Sequence, residues 1–174
     1  MRKLFRLLAV LVCCSIWQAT AAELGPTFEG LDGKQHPLSR YLGQSKWTIV
    51  GIWAPRCRYC HQEMPERERL HRSRSADINV IGIAVDFPTM GYAKPDEVRA
   101  FVRRHRLSYP ILLADGGVAA MLGGGELIGT PTTLLFNPRG ELVARQPGRV
   151  SNKVIEDYIA KSSADTAGRL HESK

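Results

Sequence analysis

The chain has 174 residues, of which 44% are hydrophobic and 24% charged, and its formal net charge is +7. This length suits one domain with a sizeable core, and neither an internal repeat nor a linker divides it. A chain cut after Ala21 keeps 153 of its 174 residues and loses Arg2, Lys3 and Arg6, which lowers the net charge from +7 to +4. A surface that is only modestly basic argues against nucleic acid as a partner.

Residues 1–21 have the pattern of a secretory signal peptide. The first six residues carry the basic charges, residues 7–17 are apolar, and small residues follow. This apolar stretch is shorter than the roughly 20 residues that span a bilayer, which favours cleavage near Ala21. We therefore expect a periplasmic protein; the alternative is an uncleaved segment that anchors it to the membrane, facing the periplasm. Cleavage also removes Cys13 and Cys14.

Hydrophobic periodicity and turn signals predict a series of strands and helices between residues 23 and 161. In chain order they are a hairpin within 23–45, a buried strand at 48–53, a helix at 57–74, a central parallel strand at 78–85, an amphipathic helix from Pro95, a short strand at 109–114, a short helix at 116–122, a strand pair at 132–136 and 141–146, and a closing helix at 154–161. Pro65 should kink the first helix, because proline lacks an amide hydrogen. Strands that alternate with helices early and pair as a hairpin late predict an α/β domain with a mixed sheet. Residues 162–174 are small and polar, and a flexible tail is expected there.

Cys57 and Cys60 are the only cysteines of the mature chain, and they follow the first long strand directly. A helix that starts there directs free amide groups and its positive dipole end toward the first sulfur, which favours thiolate over thiol. The thiolate attacks disulfides, and a second cysteine one turn along can release the mixed disulfide. The pattern predicts a redox-active pair in which Cys57 attacks and Cys60 resolves, with no metal or organic cofactor. The alternative is a zinc site with two of His61, His71 and His105, but no second ligand pair has similar spacing.

Five motifs are spread over most of the mature chain. They are Gly51-Ile52-Trp53-Ala54, Cys57-Arg58-Tyr59-Cys60, Glu63-Met64-Pro65, Gly129-Thr130-Pro131-Thr132-Thr133 and Asn137-Pro138-Arg139-Gly140-Glu141. Together they resemble the thioredoxin superfamily and, within it, the exported TlpA/ResA-type thiol-disulfide oxidoreductases. The resemblance implies a thioredoxin-like mixed β-sheet flanked by helices, with the predicted hairpin as an N-terminal extension. It also implies that Pro131 is cis and lies against the dithiol, and that the backbone of Thr130 pairs with the substrate chain.

Three further side chains receive expected roles. Trp53 and Tyr59 are expected to form packing and docking surface for the substrate. Glu63 lies three residues after Cys60 and therefore on the same helix face, where its carboxylate can accept the proton of the resolving thiol. This glutamate is also present at the same spacing in the family that the chain resembles.

Three positions depart from the family pattern. Arg56 stands where an aromatic residue is usual, Tyr59 stands where proline is common, and Gly51 stands where thioredoxin has a buried aspartate. Arg56 and Arg58 flank the attacking cysteine, and positive charge there favours the reduced form, which makes the disulfide a stronger oxidant. His61 is expected to be an exposed helix residue.

Two other functions occur on the same scaffold. Peroxiredoxins have a threonine three residues before the reactive cysteine, and this chain has Ala54 there. Copper-delivery proteins usually space their cysteines one residue wider and add a distant histidine. The sequence thus favours exchange of disulfides with exported proteins, with apocytochrome c, another redox protein or misbridged proteins as substrates. Reduction is the expected direction, and oxidation is the alternative. An upstream redox partner, membrane-bound or soluble, would supply the electrons.

Overall fold

The computed structural model describes residues 26–172, so the predicted signal peptide lies outside the described residues. Within that range the chain forms seven β-strands and four α-helices, with a short 3₁₀ turn after the second strand. In chain order they are β1 (Thr27–Gly30), β2 (Gln35–Pro37), β3 (Trp47–Trp53), α1 (Cys60–Arg74), β4 (Ile78–Ala84), α2 (Pro95–His105), β5 (Ile111–Leu113), α3 (Gly116–Leu122), β6 (Thr132–Phe136), β7 (Leu142–Pro147) and α4 (Asn152–Glu172).

The strands form one sheet in the order β2-β1-β5-β4-β3-β6-β7. β4 lies between β3 and β5 and is parallel to both, whereas β6 is antiparallel to β3 and to β7. β3 is buried at every position, because its sequence, apolar except for Thr48, fits a strand that is covered on both faces. The mixed sheet confirms the predicted α/β class.

The N-terminal hairpin adds two strands to one edge of this sheet. β1 pairs antiparallel with both β2 and β5. The turn between β1 and β2 contains Gly33, which has a φ of 73°, a left-handed conformation that glycine adopts without steric cost. The predicted hairpin extension is therefore confirmed.

The two sheet edges are short or irregular. β2 has three residues. At the other edge, the pairing of β6 with β7 shifts register between Leu135 and Phe136, and β7 ends at Pro147. Irregular pairing and proline both interrupt the regular row of hydrogen-bonding groups along a strand edge.

Apolar side chains fill a layer on each face of the sheet. Alternate residues of β3 divide between the layers: Ile49 and Trp53 join the layer that holds Phe101 of α2, whereas Val50 and Ile52 join the layer that holds Ala119 of α3. Burial of each large apolar side chain contributes about 1.5–3 kcal/mol, so the two layers anchor the end of β3 from which the cysteine motif emerges.

Two helix boundaries differ from the sequence prediction. α1 begins at Cys60 and not at Cys57, and Pro65 lies inside it. α4 continues to Glu172, eleven residues beyond the predicted end at Lys161. No proline interrupts this stretch, so nothing forces the helix to stop at Lys161. The flexibility of residues 162–174 stays a prediction. Across the described residues, no helix combines the length and apolarity needed to cross a membrane.

Candidate active site

Cys57 and Cys60 lie at the point where the chain leaves the buried end of β3 and enters α1. Their sulfurs are joined as a disulfide, with the two Cα atoms 5.3 Å apart. Cys57 is 6% exposed and Cys60 is fully buried. A partner that approaches from solvent therefore meets the Cys57 sulfur first.

The backbone around the disulfide directs amide hydrogens at Cys57. The amide nitrogen of Cys60 lies 3.2 Å from the Cys57 sulfur. The same amide, and that of His61, also donate to the Cys57 carbonyl oxygen, at 3.1 and 3.4 Å. Cys57 therefore precedes the first turn of α1, where the Cys60 amide and the positive end of the helix dipole stabilise negative charge on its sulfur.

The loop before β6 closes the other side of the disulfide. The Thr130–Pro131 peptide bond is cis, and the Cys57 sulfur lies 3.3 Å from the Thr130 carbonyl oxygen. β6 follows at once and pairs with β3, which brings the loop to the cysteines. The expected cis proline against the dithiol is confirmed. A second cis bond, Phe87–Pro88, was not anticipated.

Glu63 lies one helical turn beyond Cys60 and is fully buried. One of its carboxylate oxygens, Oε1, accepts hydrogen bonds from Arg67 and from the Thr133 hydroxyl, at 3.2 and 3.1 Å. The other, Oε2, accepts one from the Val150 amide at 3.2 Å. Burial raises the pKa of Glu63 above its ordinary value, while Arg67 and the two hydrogen bonds oppose that rise. A carboxylate with a raised pKa is suited to exchange protons near neutral pH.

Of the two aromatic residues expected at the docking surface, only Tyr59 is accessible. Its side chain is 59% exposed, whereas Trp53 is fully buried. The Trp53 ring lies 4.3 Å from that of Phe101, and its indole passes over Gly82, where a Cβ atom would come within 2.8 Å of the indole nitrogen. The expectation that Trp53 contacts substrate is therefore wrong, because β3 turns this residue into the core and not toward the surface.

The two arginines beside Cys57 have different surroundings. Arg56 donates two hydrogen bonds to the Glu97 carboxylate of α2, at 2.7 and 3.2 Å, and this contact raises the pKa of the guanidinium. Arg58 is exposed. Glu97 thus compensates the charge of Arg56, which leaves Arg58 as the uncompensated charge of the two.

His61 is part of a histidine pair that the sequence did not predict. It is half-buried, and its Nδ1 lies 2.8 Å from Nε2 of His105, the last residue of α2. Its Nε2 lies 3.1 Å from the Pro55 carbonyl oxygen and must donate there, so His105 donates to Nδ1 when both rings are neutral. Burial and the neighbouring His61 and Arg104 lower the pKa of His105. Because His105 follows Phe101 by one helical turn, its place on the inner face of α2 was visible in the periodicity.

His71 lies apart from this pair, with its ring packed edge-on to Tyr109 at 6.0 Å. Among the side chains that the structure describes, no group of three or more His, Cys, Asp or Glu is arranged to hold a metal ion. The side chains proposed for zinc therefore do not form one cluster in the described part of the chain.

Comparison with known proteins places the chain in a family. The profile described as the AhpC/TSA family matches residues 19–145. The chain belongs to the AhpC/TSA family. The thiol-disulfide oxidoreductase ResA of Halalkalibacterium halodurans is 29% identical over 145 residues, which cover 81% of this chain and 76% of ResA. The thioredoxin-like protein YneN of Bacillus subtilis is 29% identical over 129 residues, covering 74% of this chain and 71% of YneN.

The fold of this AhpC/TSA-family protein is thioredoxin-like. A thiol:disulfide interchange protein of the thioredoxin family from Chlorobium tepidum TLS superposes with a TM-score of 0.64 at 22% sequence identity, covering 82% of this chain and 97% of that one. On this scaffold the Cys57–Cys60 pair sits where a disulfide can open to a dithiol and close again. That is the chemistry of thiol–disulfide exchange.

Proposed function

We propose that the protein is an exported thiol–disulfide oxidoreductase that reduces disulfide bonds in other exported proteins. The observation that carries the proposal is the Cys57–Cys60 disulfide at the start of α1, with the cis Thr130–Pro131 loop against it. The relatives named as thiol-disulfide oxidoreductases support the same reaction class. Export rests on the signal-like pattern of residues 1–21.

The reaction begins with the reduced protein. The Cys57 thiolate attacks one sulfur of a substrate disulfide, a new S–S bond joins Cys57 to the substrate, and the other substrate sulfur leaves as a thiolate that takes up a proton. Cys60 then loses its proton and attacks the Cys57 sulfur. The second substrate thiol is released, Cys57 and Cys60 become a disulfide, and two electrons have passed to the substrate.

Residues on both sides of the disulfide fit the remaining roles. The backbone of Thr130, next to Pro131, pairs with an extended substrate segment; the 3.3 Å between its carbonyl oxygen and the attacking sulfur supports this role. The exposed ring of Tyr59 offers an apolar contact to the same segment. Glu63 is the group that takes the Cys60 proton in the second step. An upstream partner, in the membrane or soluble, reduces the disulfide again.

Reduction is the proposed direction because few charges stabilise the Cys57 thiolate. Stronger thiolate stabilisation favours the dithiol and makes a protein an oxidant. Of the two flanking arginines, Arg56 is engaged by Glu97, and Arg58 is exposed to solvent that screens its charge.

The deciding experiment measures the reduction potential and the activity together. The mature chain is equilibrated with glutathione redox buffers, and the reduced form is then mixed with a peptide that contains one disulfide. A potential well below that of glutathione, with rapid reduction of the peptide, supports the reductase. A potential near that of the strong oxidant DsbA, roughly −120 mV, would reverse the direction. Peroxide consumption and copper titration of the same sample test the two alternative functions.

A further inference from the structure

Arg67 is a charged residue inside the protein. Its side chain is 1% exposed, and that of Glu63, one turn earlier on α1, is 0% exposed. The two are joined by a contact of 3.2 Å between Arg67 Nη2 and Glu63 Oε1. Burying a charge costs free energy unless it is paired and hydrogen-bonded, so an arginine at this position calls for a reason.

Glu63 and Arg67 bind opposite sides of Val150, in the loop between β7 and α4. The Val150 amide donates to Glu63 Oε2 at 3.2 Å, and the Val150 carbonyl oxygen accepts from Arg67 Nη2 at 2.8 Å. With the Glu63–Arg67 contact, these bonds close a ring. Arg67 also donates to the Asn152 side chain at the start of α4.

The hydrogen bonds leave Glu63 one free position. Among the described residues, Oε1 accepts hydrogen bonds from Arg67 and Thr133, whereas Oε2 accepts one only from the Val150 amide. A carboxylate oxygen has two lone pairs, so Oε2 can still accept a proton. Because two hydrogen bonds hold Oε1, the carboxylate cannot rotate freely, and the ring sets the orientation of Oε2.

The charges around this ring are few. Arg67 is the cation that faces Glu63, and Glu66 on the same helix is the nearby anion that adds to the rise in the pKa of Glu63. From the loop before β5, the buried Tyr109 faces Arg67 as a neutral phenol. From the loop before α4, Arg149 pairs with Glu66 at 2.7 Å. Arg67 therefore provides the positive charge that opposes both burial and Glu66.

We propose that Arg67 is a positioning residue that keeps Glu63 ionised and oriented, so that Glu63 can take the proton of Cys60 when that thiol attacks the mixed disulfide. This role rests on the proposed thiol–disulfide exchange. It predicts that the resolving step depends on Arg67 through Glu63, and that charge at position 67 matters more than the shape of the guanidinium.

In the test, the reduced mature protein reacts with dithiobis(nitrobenzoate), and stopped-flow absorbance monitors the reaction over a range of pH. Attack by Cys57 forms a mixed disulfide and releases one nitrothiobenzoate; attack by Cys60 on the Cys57 sulfur closes the protein disulfide and releases the second. The second phase reports the step in which Cys60 loses its proton. In Arg67→Met the pKa of Glu63 rises, so Glu63 holds its proton to higher pH, and the onset of the second phase should move up by roughly 1–3 pH units.

Three variants distinguish the effect of the positive charge at position 67 from that of the guanidinium shape, of an arginine elsewhere on α1, and of Glu63 itself. Arg67→Lys keeps the positive charge without the planar guanidinium group and should retain the wild-type pH profile. Arg69→Met removes an exposed arginine from the same helix and should change nothing. The double variant Glu63→Gln/Arg67→Met removes both buried charges and should match Glu63→Gln alone. If Arg67→Met does not fold, the Lys and double variants carry the test.

The outcomes are distinct. Three results would each overturn the role of Arg67. The first is an identical pH profile for wild type and folded Arg67→Met, and the second is an Arg67→Lys profile displaced as far as that of Arg67→Met. The third is a pH profile of the double variant that is displaced further than that of Glu63→Gln. A wild-type protein that releases only one nitrothiobenzoate would instead contradict the proposed function, because Cys60 would then not resolve the mixed disulfide.

Discussion

The two sides of the disulfide differ in how their charges are placed. We call Arg56, Arg58, Tyr59 and His61 the outer side, and Glu63, Arg67, Thr133 and Val150 the inner side. The outer charges are exposed or paired at the surface, where water and salt screen them. The inner charges are buried and joined by hydrogen bonds. Under the proposed mechanism, the outer side governs encounter with substrate, while the inner side governs proton transfer during the resolving step.

The largest expected effect follows from the different exposure of the two cysteines. In Cys60→Ala, the mixed disulfide between Cys57 and the substrate cannot be resolved from within the protein. Turnover should fall to background, and covalent complexes should accumulate on non-reducing gels. Cys57→Ala is the control and should lose turnover without forming complexes. In the reduced wild type, iodoacetamide should label Cys57 before Cys60; equal labelling would remove the basis for the assigned order of attack.

Stability should separate the inner side from the outer side. Arg67→Met leaves Glu63 buried without its cation, and breaking a buried pair typically costs about 3–5 kcal/mol in the free energy of unfolding. Arg56→Met breaks the surface contact with Glu97 and should leave the unfolding midpoint unchanged. Urea unfolding of the oxidised proteins measures both. Equal losses in the two variants would mean that burial does not distinguish the two ion pairs.

Pro131→Ala tests the loop that faces both sides. This proline sets the path of the backbone next to the Cys57 sulfur, so its replacement should displace Thr130 and slow turnover by up to about 10²-fold while the fold persists. Pro138→Ala, in the turn at the other end of β6, is the matched control. Turnover of a peptide disulfide at the wild-type rate in Pro131→Ala would exclude this loop from the site.

The smallest effect should come from the outer charge. Arg58→Pro removes a positive charge that favours the thiolate of the reduced form, so the reduction potential should fall, by no more than roughly 30 mV because the site is exposed. Arg58 is exposed and precedes α1, so loss of its amide hydrogen removes no helical hydrogen bond and the fold should tolerate proline. Arg58→Gln separates the charge from the proline. An unchanged or higher potential in both variants would leave Arg58 as an ordinary surface residue.

Features that depend on local pattern were predictable from the sequence. The Cys57–Cys60 pair, the cis Pro131 and the order of strands follow from spacing, turn signals and the motifs of the family. The burial of Trp53 could not be predicted, because an aromatic residue at the end of a strand can point to either face. The space that Gly82 leaves for its ring depends on tertiary packing. The burial of Arg67 could not be predicted for a similar reason: Asn152 and Val150, which accept its hydrogen bonds, lie more than eighty residues away in sequence.

The irregular edges of the sheet have a consequence for the proposed exchange with exported proteins. A client with reducible disulfides presents extended segments, and an open strand edge is a template for pairing with them. The three-residue β2 offers little length for such pairing. On the opposite edge, the irregular pairing of β7 with β6 and the proline at the end of β7 interrupt the regular row of hydrogen-bonding groups. Both edges thus disfavour strand addition, and under the proposed function the cysteine loop is the place where a substrate is held, covalently and for a single exchange.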